Sequence, residues 1–195
     1  MGFIKKQWQG YKAKSWWAKF TDVLFIAFIA VMISSDGRVF FQRIVLQTGL
    51  FGSVSANENK SLSDEAWDWQ LSDLDGNEFI LNDFRGKTVF INFWATWCPP
   101  CNAEMPGIKD LVSSCDEQVV FIIATNESKA KVAQHLEAKK WDLPVYFYEH
   151  TPSVALSASS LPTTIIINKK GALIHRSEGM RKWNDDEAKA LLECL

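Results

Sequence analysis

A Cys-Pro-Pro-Cys motif directly follows an apolar run rich in β-branched and aromatic residues, and this order constrains the fold more than any other feature of the chain. Thr88–Trp94 predicts a buried strand, and residues 99–114 read as the helix that follows the motif. Proline is favoured at the first helical positions because its missing N–H would have no helical partner there. The helix is therefore expected to begin at Pro99 or Pro100, with Cys98 immediately before it.

The position of Cys98 predicts a reactive thiol. Unpaired backbone N–H groups and the positive end of the helix dipole stabilise an anion at a helix N-terminus, so Cys98 should ionise more readily than a free cysteine. Cys101 lies about one helical turn further on, on the same face and beneath Cys98. The two sulfurs are therefore expected to form and open a small disulfide ring.

A Cys-x-x-Cys motif is also half of many zinc sites, which need a second pair of ligands at suitable spacing. The sequence offers no such pair, because its histidines and its other two cysteines occur singly. These residues are His135, His150, His175, Cys115 and Cys194. A purely structural role in the core would not require two prolines between the cysteines.

The motif and its flanks resemble one known family. Trp94–Cys101, with Glu104 and Pro106, is similar to the TlpA/ResA-type membrane-anchored thiol-disulfide oxidoreductases of the thioredoxin superfamily, over roughly residues 64–195. The resemblance implies a thioredoxin-like fold and thiol-disulfide exchange outside the cytoplasmic membrane of a bacterium. Where thioredoxin has a buried acid on the strand before the motif, this chain has Asn92. TlpA/ResA-type proteins instead place a glutamate after the second cysteine, and Glu104 matches it.

Length and charge limit the partners. With 195 residues, of which 47% are apolar, the chain can bury one ordinary domain core plus an accessory segment. Lysines are concentrated in the first twenty residues, whereas the part beyond Asn57 has an acidic excess. This distribution argues against a nucleic-acid partner.

Residues 16–35 are predicted to form a transmembrane anchor. Val23–Ile33 is uninterrupted and apolar but shorter than the roughly twenty residues of a spanning helix, so the span is extended to include Trp16 and Lys19 near the interface. The basic residues then place residues 1–15 in the cytoplasm and the later chain outside, in the periplasm. A cleaved signal peptide is the alternative.

Residues 36–66 are interpreted as a juxtamembrane segment and linker. Val39–Phe51 predicts an amphipathic helix, which either lies on the outer membrane surface or packs on the following domain. Residues 53–66 are polar and lack periodicity, which is typical of a linker.

Residues 67–195 are predicted to form an α/β domain, a thioredoxin-like three-layer fold with a mixed central sheet flanked by helices. Two short runs around Asp75-Gly76 predict an N-terminal hairpin. Gln118–Ala124 predicts a second buried strand, parallel to the first because a helix connects them. Ile165–Ile167 and Ala172–Arg176 predict two antiparallel edge strands.

Two further helices and one strand complete the predicted domain. Glu127–Lys140 predicts a surface helix and Val145–Tyr148 a short strand, and the resemblance implies that together they form a helix–strand insertion absent from plain thioredoxin. His135 is interpreted as a solvated residue of this helix and His150 as a loop residue. Asp186–Cys194 predicts the last helix.

The resemblance also implies a substrate-binding surface. The family has a proline that faces the cysteine pair through a cis peptide bond, and Pro162 matches it. Leu161 would then offer its backbone to a bound segment in the manner of an added strand. Trp97 and Pro99 complete the predicted substrate-binding residues. Trp94 and Trp97 are expected to pack around the cysteine pair and shield Cys101, with a simple core role as the alternative.

Cys115 and Cys194 are predicted to be unpaired and partly buried, because free cysteine is among the most often buried residues. An exported domain permits a disulfide between them, which is the alternative. Neither has a proline-framed turn, so neither is expected to be catalytic.

Together these features predict an enzyme in which Cys98 attacks a disulfide and Cys101 resolves the mixed disulfide. Glu104 either exchanges a proton with the resolving thiol or is an ordinary first-turn glutamate that compensates the helix dipole. The expected partners are an exported protein substrate with a disulfide, such as an apocytochrome c, and a membrane thiol electron donor. No cofactor and no bound metal are expected.

Disulfide reductase is the activity that the resemblance implies. A disulfide oxidase or isomerase would use the same residues. A copper-delivery module is the alternative from another class, because soft thiolates suit Cu(I).

Overall fold

A computed structural model of the chain describes residues 15–34, 37, 54–56 and 60–194. The chain divides into two compact units, residues 1–41 and 42–195. Residues 1–14 of the predicted basic tail and the whole of the predicted amphipathic segment at 39–51 lie outside the described residues.

The first unit contains helix α1, Trp16–Ile33. Among the described residues, no helix combines the length and apolarity needed to cross a membrane, so the predicted span at residues 16–35 is not supported. The uninterrupted apolar part of this helix is Val23–Ile33. Lys19 and Asp22 occupy the preceding turns.

The second unit alternates strands and helices. Its strands are β1 Val54–Ala56, β2 Lys60–Ser61, β3 Gln70–Ser72, β4 Glu78–Ile80, β5 Thr88–Phe93, β6 Val119–Thr125, β7 Val145–Phe147, β8 Thr163–Ile167 and β9 Ala172–Glu178. Its helices are α2 Asp64–Trp67, α3 Pro99–Ser114, α4 Lys129–Lys139 and α5 Asp186–Leu192, with a 3₁₀ turn at Leu81–Phe84.

The strands form one mixed sheet in the order β1-β9-β8-β5-β6-β7-β3-β4, with β2 also paired to β9. Strand β5 runs parallel to β6, and β6 runs parallel to β7, as the predicted crossovers require. The pairing of β3 with β4 confirms the predicted N-terminal hairpin, and α4 and β7 are the helix and the short strand predicted within residues 127–148.

The prediction that β8 and β9 are edge strands is wrong. Strand β8 lies between β5 and β9, and β9 is in turn covered by β1 and β2. Both short strands come from the segment predicted to be a linker. Their pairing relies on backbone hydrogen bonds, which a polar sequence without alternation does not reveal.

Two apolar clusters cover the two faces of the sheet, because alternate residues of a strand point to opposite faces. Phe90 packs with residues of α3, α4 and α5, such as Ile108, Leu136 and Leu192. Val89 and its period-two neighbours pack with α2, the 3₁₀ turn and the loop around Leu156. The longer helices therefore share one face, and among the described residues the other face is covered by short elements.

Candidate active site

The redox pair lies where the central strand meets the first long helix. Strand β5 ends at Phe93, and α3 begins at Pro99, as the proline positions predicted. Cys98 is the N-cap residue of α3, and its Sγ accepts a hydrogen bond from the Cys101 N–H at 3.3 Å. The two cysteines form a disulfide with Cα atoms 5.3 Å apart. In this oxidised form Cys101 is fully buried and Cys98 is only 3% exposed, so Cys98 is less accessible than its position alone predicted.

Glu104 is a buried carboxyl one helical turn after Cys101, exposed to only 2%. Its Oε1 accepts a hydrogen bond from Asn92 Nδ2 at 2.8 Å, and its Oε2 accepts one from the Arg181 backbone N–H at 3.2 Å. Burial disfavours the carboxylate and outweighs these hydrogen bonds, so the pKa of Glu104 rises from 4.5 to about 8. The nearby Trp183 indole also opposes this rise in the pKa, although its N–H makes no hydrogen bond to a described residue.

Asn92 connects Glu104 to the neighbouring strand. Its Nδ2 also donates to Thr164 Oγ1 at 2.9 Å, and Thr164 is the residue opposite Asn92 in the β5–β8 ladder. The Oδ1 atom of Asn92 is buried and has no hydrogen-bond partner among the described residues. If the Asn92 amide turned over, this oxygen could accept a hydrogen bond from Glu104 in its carboxylic acid form, while the Thr164 hydroxyl donated instead of accepting.

The segment after β9 covers Glu104 from the other side, and sequence reasoning missed it. The Arg181 guanidinium lies 4.9 Å from the centre of the Trp183 ring and pairs with Glu187 at 3.1 Å. Its Nη1 also lies 3.1 Å from His175 Nε2. Since a guanidinium only donates, His175 accepts this bond and is neutral. Burial, together with the Arg181 charge, holds the pKa of His175 below its ordinary value.

A second group of residues holds the turn that carries Cys98. Thr96 donates from its backbone N–H and its hydroxyl to the Glu127 carboxylate, at 2.6 and 3.0 Å. Asn102 bonds to the same turn and to His135. The interpretation of His135 as a solvated residue is wrong, because its ring is half-buried between Trp94 and Trp141.

The residues predicted to bind substrate lie at the same end of the sheet as the redox pair. Phe93 pairs with Thr163, which brings Pro162 beside the end of β5. The Leu161–Pro162 peptide bond is cis, as the resemblance implied, and Leu161 is half-buried. Trp97 is 67% exposed. The prediction that it packs around the cysteines is therefore wrong, whereas Trp94 is buried as predicted.

Cys115 and Cys194 form a second disulfide, so the prediction that they are unpaired is wrong. Cys115 caps the C-terminal end of α3, and Cys194 follows α5. Their Cα atoms lie 4.8 Å apart although they are 79 positions apart in sequence. The helix that begins at the redox pair is thus bonded covalently to the C-terminal segment at its other end.

Among the residues that the structure describes, no group of three or more His, Cys, Asp or Glu side chains is arranged to hold a metal ion. The chemistry that the site offers comes from its own groups. These are a disulfide at a helix N-terminus and a buried carboxyl that holds a proton at neutral pH.

Comparison with known proteins identifies this arrangement. The family model described as Redoxin matches residues 60–192. The chain is 34% identical over 131 residues to the thiol-disulfide oxidoreductase ResA of Bacillus cereus, covering 66% of this chain and 76% of the relative. The ResA of Halalkalibacterium halodurans is 31% identical over 166 residues, which cover 84% of this chain and 86% of that relative.

A solved structure shares the fold at low sequence identity. A secreted disulfide oxidoreductase of Mycobacterium tuberculosis, homologous to E. coli DsbE, superposes with a TM-score of 0.57 at 18% identity, over 68% of this chain and 100% of that chain. The fold is thus thioredoxin-like. The chain belongs to the redoxin family and is a thiol-disulfide oxidoreductase of the thioredoxin superfamily, similar to ResA.

Proposed function

We propose that this oxidoreductase uses Cys98 and Cys101 to reduce disulfides in exported proteins. The observation that carries the proposal is the position of their disulfide, which closes the N-terminal turn of α3 with Cys98 as the N-cap residue. When the disulfide is open, the same helix end favours the thiolate of Cys98. Cys101 lies deeper and is suited to attack Cys98 rather than an incoming protein.

The reaction takes two exchanges. The Cys98 thiolate attacks one sulfur of the substrate disulfide, and the other substrate sulfur leaves as a thiolate that takes up a proton. Cys101 then loses its proton and attacks Cys98, which releases the second substrate sulfur as a thiolate that takes up a proton from the solvent. The substrate gains two electrons and two protons, and the Cys98–Cys101 pair becomes oxidised.

We assign to Glu104 the role of accepting the Cys101 proton and later returning it. The minor population of Glu104 that is a carboxylate at neutral pH takes the proton when Cys101 attacks, and with a pKa of about 8 the group keeps this proton once the disulfide has formed. When a donor reduces the pair again, Glu104 returns the proton to the Cys101 sulfur. The alternative role as a compensating first-turn glutamate does not suit a side chain that is buried and uncharged.

The substrate is expected to bind across the exposed end of the motif. The ring of Trp97 offers apolar contact area next to Cys98, and Pro99 is half-exposed beside it. Leu161 and Pro162 lie at this end of the sheet immediately before β8, where the Leu161 backbone can pair with an extended substrate segment.

The second disulfide bears on where this domain works, and the location bears on its partners. Such bonds persist in oxidising compartments, so the Cys115–Cys194 bond supports a location of the domain at residues 67–195 outside the cytoplasmic membrane. A reductase working there needs electrons from elsewhere, and we assign this role to a membrane thiol donor. Exported proteins with paired cysteines, such as apocytochromes c, are the substrate class.

Trapping tests the exchange. A Cys101→Ser variant, reduced and mixed with a protein disulfide, is expected to accumulate a mixed disulfide at Cys98 because the resolving sulfur is missing. The matched Cys98→Ser variant should trap nothing. Equal trapping by both variants, or by neither, contradicts the proposal.

Equilibration with the glutathione couple tests the direction. A reductase should have a reduction potential close to that of thioredoxin, about −270 mV, whereas a value near −120 mV would identify an oxidase.

A further inference from the structure

The Asn102 side chain makes three hydrogen bonds around the turn that carries Cys98. Its Nδ2 lies 2.9 Å from the Thr96 carbonyl oxygen and 2.8 Å from the Cys98 carbonyl oxygen. Only an NH₂ group can donate to two carbonyl oxygens, so the orientation of this amide is fixed by its partners. The side chain is 6% exposed, so these bonds are shielded from water.

His135 forms a hydrogen bond with the oxygen of the Asn102 amide. Its Nε2 lies 2.7 Å from Asn102 Oδ1, which can only accept, so His135 Nε2 carries the proton. The ring lies between Trp94 and Trp141, with ring centroids at 6.0 and 5.6 Å. Packing therefore fixes the donor, and through it Asn102.

Glu127 attaches the same turn from its other side. It accepts both hydrogen bonds of Thr96 and pairs with Lys131 on the first turn of α4. The charged groups that act on His135 are Glu127, Lys131 and Lys139. The turn before Cys98 is thus tied at two points to the segment 127–135, which belongs to the helix–strand insertion.

We infer that Asn102 and His135 are positioning residues that hold Cys98 at the N-terminus of α3 and thereby set its reactivity. The inference rests on the proposed redox role of the pair. While the disulfide is closed, the bond to Cys101 restrains Cys98 by itself. Once it opens, the Asn102 amide becomes the main side-chain restraint on the Cys98 peptide group. Without this restraint, the sulfur spends less time where the helix end stabilises its thiolate.

The test compares near-isosteric variants by the pH profile of Cys98 alkylation in the reduced protein. Asn102→Leu removes all three hydrogen bonds and adds no charge. His135→Phe removes the donor and keeps an aromatic ring between the two tryptophans, whereas His135→Gln keeps a donor. His150→Phe, at an exposed loop histidine, is the matched control. Mass mapping assigns the label to Cys98 and verifies that the Cys115–Cys194 bond stays closed.

Asn102→Leu is expected to raise the apparent pKa of Cys98 by about one unit, and so to slow alkylation near neutral pH about tenfold. His135→Phe should slow it about threefold, whereas His135→Gln and His150→Phe should match the wild type. A lower melting temperature with an unchanged pH profile would mean a purely structural role and overturn the inference. Should Asn102→Leu fail to fold, His135→Phe decides in the same way.

The wild-type profile separates this inference from the proposed function. If the wild-type pair is inert to alkylation, the proposed function fails and the inference fails with it. If the wild type reacts and the variants react alike, only the positioning role of Asn102 and His135 is wrong.

Discussion

Replacing Glu104 by glutamine is expected to stabilise the oxidised protein at neutral pH. The pKa of this carboxyl is 4.5 ordinarily and about 8 in the folded protein, mainly because burial disfavours the carboxylate. Between these values the folded state binds more protons than the unfolded state. The stability that Glu104 contributes is therefore complete below about pH 4.5 and is lost as the pH rises to about 8.

The size of this loss follows from the shift. Each pKa unit corresponds to about 1.4 kcal/mol, and neutral pH lies about two and a half units above 4.5, which gives about 3 kcal/mol. Glutamine does not ionise and avoids the loss. It can also keep both hydrogen bonds, since its Oε1 can accept from Arg181 and its Nε2 can donate to Asn92 after that amide turns over. We expect a net gain of about 2 to 3 kcal/mol in the free energy of unfolding.

Urea unfolding with both disulfides closed, repeated between about pH 5 and pH 8, measures this gain. The curves of wild type and Glu104→Gln should diverge as the pH rises. Glu127→Gln is the control, in which we expect the free energy of unfolding to change in the opposite direction. Burial raises the pKa of Glu127, but bonds from Lys131 and Thr96 outweigh burial and hold it below its ordinary value. This control should lower the stability at neutral pH. Parallel curves for wild type and Glu104→Gln would refute the raised pKa.

Three further outcomes are expected. The double variant Cys115→Ala/Cys194→Ala should lose about 4 kcal/mol of unfolding free energy, because its bond spans 79 residues, and should keep exchange activity; unchanged urea unfolding would contradict this. Asn92→Leu removes a hydrogen-bond donor to Glu104 and should move the pKa of this carboxyl above about 8 in an NMR titration. A pKa equal to that of the wild type would contradict the stabilisation of the Glu104 carboxylate by Asn92. Trp97→Ala should change the free energy of unfolding by less than about 0.5 kcal/mol, because this side chain is exposed. It should lower kcat/KM several-fold for a protein disulfide but not for glutathione disulfide, and an equal fall in kcat/KM for both substrates would exclude a role in protein-substrate binding.

The strand–turn–helix around the redox pair could be predicted because local rules determine it. All six residues of β5 are buried, as its richness in β-branched and aromatic residues indicates, and the two prolines mark the start of α3. The parallel pairing of β5 with β6 follows from the helix between them.

The parts that prediction missed depend on tertiary packing. Cys115 and Cys194 meet because α5 packs its apolar residues against α3, and nothing in the chain between these two cysteines, which are 79 positions apart, encodes that distance. His135 belongs to a helix whose other residues are largely charged or exposed, so its burial comes from Trp94 and Trp141, which the fold brings to it. Asn102 alone gave a usable signal, since an amide in the first turn of a helix can bond back to the preceding turn.

The order in which the two sulfurs react tests the central claim most directly. Wild-type protein with the Cys98–Cys101 pair reduced and the Cys115–Cys194 bond closed is treated briefly with a small alkylating reagent near neutral pH, and the labelled cysteine is identified by mass. The helix N-terminus predicts that Cys98 is labelled first and Cys101 only slowly. Labelling of Cys101 at an equal or faster rate, or of neither sulfur, would contradict the account.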